Sequence, residues 1–187
     1  MVIWIIAGVA IIIAIMFFSY YNKFVVLNNR IENSLAQIDV QLKKRADLIP
    51  NLLETVKAYA KYEKKVITEV TNARKSMLGA ETISEKVKAG NKLQGAIKNI
   101  FAIAENYPNL KANENFLHLQ QELSAIEDKV AYARQYYNDS SMSYNNSRQV
   151  IPGKWFASMY GFKDKKDYLE IPAEDRAVPK IKFDNFA

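Results

Sequence analysis

Chemistry at a protein site needs ligands, nucleophiles or acid–base groups brought together, and this sequence offers few of them. Histidine occurs once, as His118, and cysteine does not occur. A His/Cys metal set therefore has no members to draw on, and disulfides are excluded. His118 lies between Leu117 and Leu119, off the apolar stripe of its segment, and reads as a surface or boundary residue. No serine occupies a nucleophile elbow, and the isolated glycines form no loop that could cradle phosphate. Glu122 and Glu127 make a carboxylate pair, but helices rich in glutamate produce such pairs by chance, so solvated surface is the expected role. The expectation is a protein without a catalytic site, a metal or a cofactor.

One carboxylate stands apart. Glu63 falls on a run of seam positions, Ile49, Leu52, Val56, Tyr59, Glu63, Val66, Val70, Ala73 and Met77, spaced by threes and fours. A seam buries its residues, and a buried charge must be paired or neutralised at a cost of several kcal/mol. Arg74, Arg134 or Arg45 could partner it, and a structural ion pair that fixes helix register is the preferred reading over a helix-edge position or a functional acid. Tyr132, Tyr136, Tyr137 and Tyr144 invite a binding reading, but Tyr137 and Tyr144 lie on a seam of their own, and a core and boundary stripe explains them better.

The elements that would position these residues begin with Met1 to Asn22, which carries no charged side chain. A hydrocarbon core of about 30 Å needs about 20 apolar residues, and Val2 to Tyr21 supplies them. Val2 and Trp4 mark one end, and Phe17, Phe18, Tyr20 and Tyr21 mark the other, where amphipathic rings favour the headgroup level. A cleaved signal peptide is the rival reading. It is disfavoured because no basic region precedes the apolar run and Phe17-Phe18-Ser19-Tyr20-Tyr21 replaces a small-residue cleavage site. Lys23, Arg30, Lys43, Lys44 and Arg45 all follow the span, so the N-terminus is expected outside and the remainder in the cytoplasm.

Glycine and proline are scarce at 6 and 5 in 187 residues, and beyond the span the intervals between them read as helices. Phe24, Leu27, Ile31, Leu35, Ile38 and Leu42 share one helical face. No breaker separates this face from the span, so the two are expected to be continuous. Asp47 and Pro50 form a helix-break motif in which Pro50 disfavours helical geometry at Ile49 and Asp47 serves as a cap. A tight reversal is expected there in preference to a kink. The second helix ends at Gly79. A third starts at Thr82 or Ser84 and presents Ile83, Val87, Ile97, Ile100 and Ala104. Asn113 caps a fourth with the seam Phe116, Leu119, Leu123, Ile126, Val130, Ala133, Tyr137, Ser140, Tyr144 and Ser147. The fold expected is all-α, a single N-terminal transmembrane helix followed by an antiparallel four-helix bundle of long helices.

Three regions follow: an anchor at 1–22, a cytoplasmic helical bundle at 23–150, and an aromatic and basic segment with an extended tail at 151–187. If the connections reverse direction, the fourth helix returns to the bilayer. Lys154, Trp155, Phe156, Tyr160 and Phe162 then either touch the membrane interface or cap the bundle core. The formal charge is +6 with pI about 9.3. Because basic and acidic residues interleave, this charge suits an anionic membrane surface better than nucleic acid, and no nucleic-acid partner is expected. The expected partners are the lipid bilayer and an unidentified membrane or envelope protein recruited to the helical surface, with self-association also open.

With the helices placed, the run from Glu32 to Lys57, ENSLAQIDVQLKKRADLIPNLLETVK, resembles the signature of the LemA family. Ala73-Arg74, the block Glu105 to Asn113 (ENYPNLKAN), the block Ala133 to Asn138 (ARQYYN) and Gly161-Phe162 agree with it. Gln135 departs from a pattern that more often has a second basic residue there. The resemblance implies a bacterial or archaeal membrane protein with one N-terminal span, an outward N-terminus and a cytoplasmic helical bundle. It implies no established enzyme activity. The function expected is therefore a membrane-anchored scaffold or adaptor, or else a module that binds anionic lipid surfaces.

Overall fold

The computed structural model describes residues 1–169 and is all-helical over them. The tail expected from Glu170 onward lies outside the described residues. The chain forms α1 (Val2–Tyr59), α2 (Lys64–Leu78), α3 (Ile83–Ala104), the single turn α4 (Pro108–Lys111), α5 (Glu114–Gln149) and α6 (Gly153–Tyr160).

The organising element is α1, which runs 58 residues without interruption, about 87 Å at ~1.5 Å per residue. Its N-terminal part is long and apolar enough to cross a membrane, and its most apolar window has no buried residue. Helix continues across residue 22, and from Phe24 onward the expected face turns inward: Phe24, Leu27, Ile31, Ile38 and Leu42 are buried.

The break expected at Asp47 and Pro50 does not occur. Pro50 lies inside α1, and Asp47 is an exposed residue ion-paired to Lys43 one turn earlier rather than a cap. Proline in a helix interior lacks the N–H that would bond the carbonyl four residues back. That carbonyl belongs to Ala46, which is wholly buried. Arg74 of α2 supplies the missing donor, its Nε bonding the Ala46 oxygen at 2.8 Å. The proline is therefore tolerated because a neighbouring helix replaces the bond it removes.

The reversal comes instead at Ala60–Glu63, where Ala60 adopts φ −125° and ψ 53° and the Glu63 amide closes a turn on the Ala60 carbonyl at 3.2 Å. No glycine or proline marks this turn. The long seam written from Ile49 to Met77 is thus divided between two helices: Ile49, Leu52 and Val56 are buried in α1, and Val70 and Met77 in α2. The later boundaries follow local chemistry. Thr82 opens α3 with a reciprocal capping box to Glu85, and the backbone and hydroxyl bonds from Thr82 lower the Glu85 carboxyl below its ordinary value. The Asn113 side chain accepts from the Phe116 amide at 3.0 Å at the start of α5.

Helix α5 lies along α1 in the opposite direction. Asn113 bonds Tyr59 at one end, Glu127 meets Arg45 midway, and Tyr144 packs edge-on against Phe24 at the other. Every seam position expected in α5 is buried. Helices α2 and α3 pack on each other and on the upper part of α1.

A double-mutant cycle tests the exchange of donors at Pro50. Arg74→Met should lower stability by about 1–2 kcal/mol in the natural background and by clearly less in Pro50→Ala, where the helix regains its own donor. Thermal melts of the four detergent-solubilised chains measure it, and equal losses in both backgrounds would refute the compensation.

Candidate functional site: a buried arginine and an aromatic base

The interior charge is Arg45, not Glu63. Arg45 is 1% exposed on α1, yet its guanidinium reaches two other helices. Nη2 pairs with the Glu127 carboxylate of α5, and Nη1 donates to the Gly90 carbonyl of α3 at 3.2 Å. Glycine at 90 lets α3 come close to α1, since a Cβ there would stand 2.7 Å from Leu42 Cδ2. Burial draws the Arg45 pKa down, the Glu127 carboxylate opposes that, and the nearby Arg134 adds to it. Arg134 is half-buried and donates to Asn91 Oδ1 at 3.3 Å. Among the described residues, the buried Arg45 Nε, Gln41 Oε1 and Gln94 Oε1 have no hydrogen-bond partner.

Glu63 sits half-buried just ahead of α2 and accepts from the Tyr107 hydroxyl at 3.0 Å. This bond, with a smaller contribution from burial, raises the Tyr107 pKa. The arginine partnership expected for Glu63 is corrected accordingly: Arg74 bonds Ala46, Arg45 pairs with Glu127, and Arg134 reaches Asn91. The reading of Glu127 as free surface is corrected too, because its carboxylate is the counter-charge of a buried arginine. His118 is exposed and lies 3.9 Å from Glu122. Among the described residues no three His, Cys, Asp or Glu side chains gather as a metal set. An open cleft of about 390 Å³ between α1 and α5 includes Gln37, Gln41, Asp128 and Lys129 in its lining.

The second cluster lies where the apolar span ends. Helix α6 packs on the last turns of that span: Phe156 stacks on Tyr20 at 5.2 Å, Tyr160 sits edge-on to Phe17 at 4.9 Å, and the Tyr160 hydroxyl donates to the Phe17 carbonyl. Phe162 stacks on Phe24 at 5.3 Å. Burial raises the Tyr160 pKa. Gly153 makes the approach feasible, because a Cβ there would lie 2.1 Å from the Ser147 carbonyl oxygen and 3.2 Å from the Tyr20 ring. Gly161 ends the helix at φ +83°, a left-handed position that glycine takes without strain.

The expected interface residues therefore divide by face. Phe156, Tyr160 and Phe162 cap the base of the helical core, whereas Lys154 and Trp155 point outward. Ile151, Trp155 and Met159, spaced by four, form an apolar stripe with 69, 64 and 62% exposure. Of the residues assigned to the span, Val2, Trp4, Phe18 and Tyr21 are exposed, and Phe17 and Tyr20 are half-covered by α6. Sequence reasoning missed Asn138 and Asn145, which bond the backbone of residues 166 and 169. The one available sign was an asparagine pair seven residues apart on the helix that carries the tyrosine seam.

These features define an all-helical protein with one N-terminal helix able to span a membrane, stiffened at its base by an aromatic cluster. The chain belongs to the LemA family, which it matches over residues 34–183. It is also similar to magnetosome protein MamQ of Magnetospirillum gryphiswaldense, at 24% identity over 184 residues, covering 84% of this chain and 68% of that protein. Magnetosome protein MamQ 2 of Paramagnetospirillum magneticum shows the same identity and coverage. Protein LemA of Metamycoplasma hominis is 25% identical over 141 residues, which is 72% of this chain and 63% of that protein.

Two variants test the site. Glu127→Ala strands a buried guanidinium and should cost about 1.5–3 kcal/mol, less than a fully buried pair because the carboxylate is 42% exposed. Arg45→Met removes the charge itself and should cost less, so the reverse order in denaturant titrations would exclude the buried-charge account. Gly153→Ala should cost about 1–3 kcal/mol by forcing α6 off Ser147 and Tyr20, read as a lower melting temperature. An unchanged melt would refute the close approach.

Proposed function

We propose that the protein is a non-enzymatic, membrane-anchored scaffold that carries a helical binding surface at a fixed height and angle from the bilayer. The observation that carries this reading is the unbroken α1, which joins the apolar stretch to the far end at Tyr59 with no hinge. A flexible tether would serve an enzyme that acts on soluble substrates; a stiff rod suits a protein that must present one face to a neighbour. In this reading the upper part of α1 with α2, α3 and α5 forms an antiparallel four-helix bundle. The lysines and arginines that follow the span support a cytoplasmic bundle with the N-terminus outside. Regions 1–22, 23–150 and 151–187 act as anchor, bundle and membrane-proximal segment.

A second reading, contact with an anionic lipid surface, is favoured by the exposed Ile151, Trp155 and Met159 stripe with Lys154 beside it. It complements the first, because α6 packs against the last turns of the span and its outer face would meet the headgroups. The family's relatives include proteins named for magnetosomes, and attachment to a membrane compartment fits the same architecture.

Trp4→Phe leaves Trp155 as the single tryptophan of the two. In vesicles containing anionic lipid, its emission should be blue-shifted and quenched by lipids brominated near the headgroup, and water-like, unquenched emission would exclude the interfacial role. For the scaffold, crosslinking from the exposed faces of α5 in native membranes should recover a distinct protein. Inserting Gly-Gly after Asn22 should reduce that yield several-fold, and an unchanged yield would show that rigidity is not required.

A further inference from the structure

Beyond Gly161 the described chain runs back along α5 as an extended segment held largely through its backbone. Asn145, 2% exposed, uses both ends of its amide on one residue: Nδ2 donates to the Lys166 carbonyl at 2.9 Å, and Oδ1 accepts from the Lys166 amide at 3.0 Å. Asn138 repeats this on Leu169, at 3.1 and 2.9 Å. The spacing has a geometric basis. Seven helical residues rise about 10.5 Å, and three extended residues cover about 10 Å. Any extended backbone laid along this face brings a peptide unit to each asparagine in turn. Tyr137 and Arg148 add bonds to the carbonyls of Asp167, at 2.8 Å, and Lys163, at 2.7 Å.

None of these bonds reads a side chain of the segment. Recognition by side chain comes from Phe162 stacked on Phe24, the Lys166 ammonium 5.5 Å from the centre of the Tyr144 ring, a long 3.5 Å bond from Asn145 Nδ2 to the Tyr168 hydroxyl, and Leu169 against the core. The side chains of Lys163, Asp164, Lys165 and Asp167 are exposed. Main-chain bonds that supply affinity, with a few pockets that supply selectivity, are the design of surfaces that bind extended peptides. The segment can also leave without unpacking the core between α1 and α5, since it carries no helix of its own.

We propose that Asn138 and Asn145 form a clasp for extended polypeptide, occupied in cis by residues 162–169 and open to an extended segment of a partner protein that displaces them. The occupant it fits carries an aromatic residue, a basic residue four positions on and an aliphatic residue three further, with little constraint between. This rests on the scaffold reading and names the chemistry of its partner.

The test uses a labelled peptide of residues 162–169 titrated onto the full-length chain and onto a chain ending at Gly161, both in nanodiscs. The shortened chain should bind at least about tenfold more tightly than the full-length chain. Asn138→Ala with Asn145→Ala should lower that affinity by about tenfold or more, as should N-methylation of the peptide at Lys166 and Leu169. Alanine at Asp164, Lys165 and Asp167 of the peptide should change it by less than about threefold. No binding to a shortened chain that keeps its helical signal, or equal binding by the methylated peptide, overturns the clasp. If the shortened chain unfolds, amide exchange in the full-length protein decides: excess peptide should speed exchange at Lys166 and Leu169, and unchanged rates overturn the proposal. The scaffold reading fails on its own terms if the clasp binds peptide but crosslinking in native membranes recovers no protein.

Discussion

A single carbonyl group governs this architecture. Pro50 takes away the helical donor of the buried Ala46 oxygen, and an orphaned acceptor in the interior costs on the order of 1–3 kcal/mol. Helix α1 can pass through Pro50 because the Arg74 Nε restores the bond from α2. The constraint acts in both directions. The proline asks for a donor from outside its own helix, and the donor that answers holds α2 against α1, so one polar bond supports the continuity of the rod and the docking of its neighbour.

The buried Arg45 plays a related part in the interior. A charge removed from water contributes little net stability even when paired, but it is exacting about geometry. The Nη1 and Nη2 groups of Arg45 find their partners only when α3 brings Gly90 close and α5 places Glu127 at the same level. Sliding α5 by one turn would leave the guanidinium unpaired while still burying apolar side chains. The apolar seams permit several registers, and the polar contact selects one.

At the base, ring stacking takes over from charge. Phe17, Tyr20, Phe156, Tyr160 and Phe162 form a continuous aromatic cluster from the span into α6 and the segment after it. Residues suited to the membrane interface thereby also close the helical core. On α6, Phe156 and Tyr160 pack against the end of the apolar stretch while Trp155 and Met159 are exposed. The aromatic cluster thus ties the end of the apolar stretch to α6 and to the segment that follows it.

Most of the helices could be read from the sequence because their causes are local or periodic. The span follows from length and apolarity, the α3 and α5 starts from Thr82 and Asn113, and the α5 seam from unbroken threes and fours. What failed was local reasoning about the strongest breaker: Pro50 looked like an end because the donor that satisfies the Ala46 carbonyl lies 28 residues from Ala46 in sequence. The true reversal at Ala60 carries no breaker, since it is set by where α2 must turn to bury Val70 and Met77. The same limit misplaced the buried charge, because seam spacing assigned Glu63 to a helix that ends before it. The sequence by itself determined most of the helical content and the apolar faces of α1, α3 and α5. Only the tertiary structure decided where α1 ends, which arginine is buried and what the asparagines hold, because each depends on groups that meet across helices.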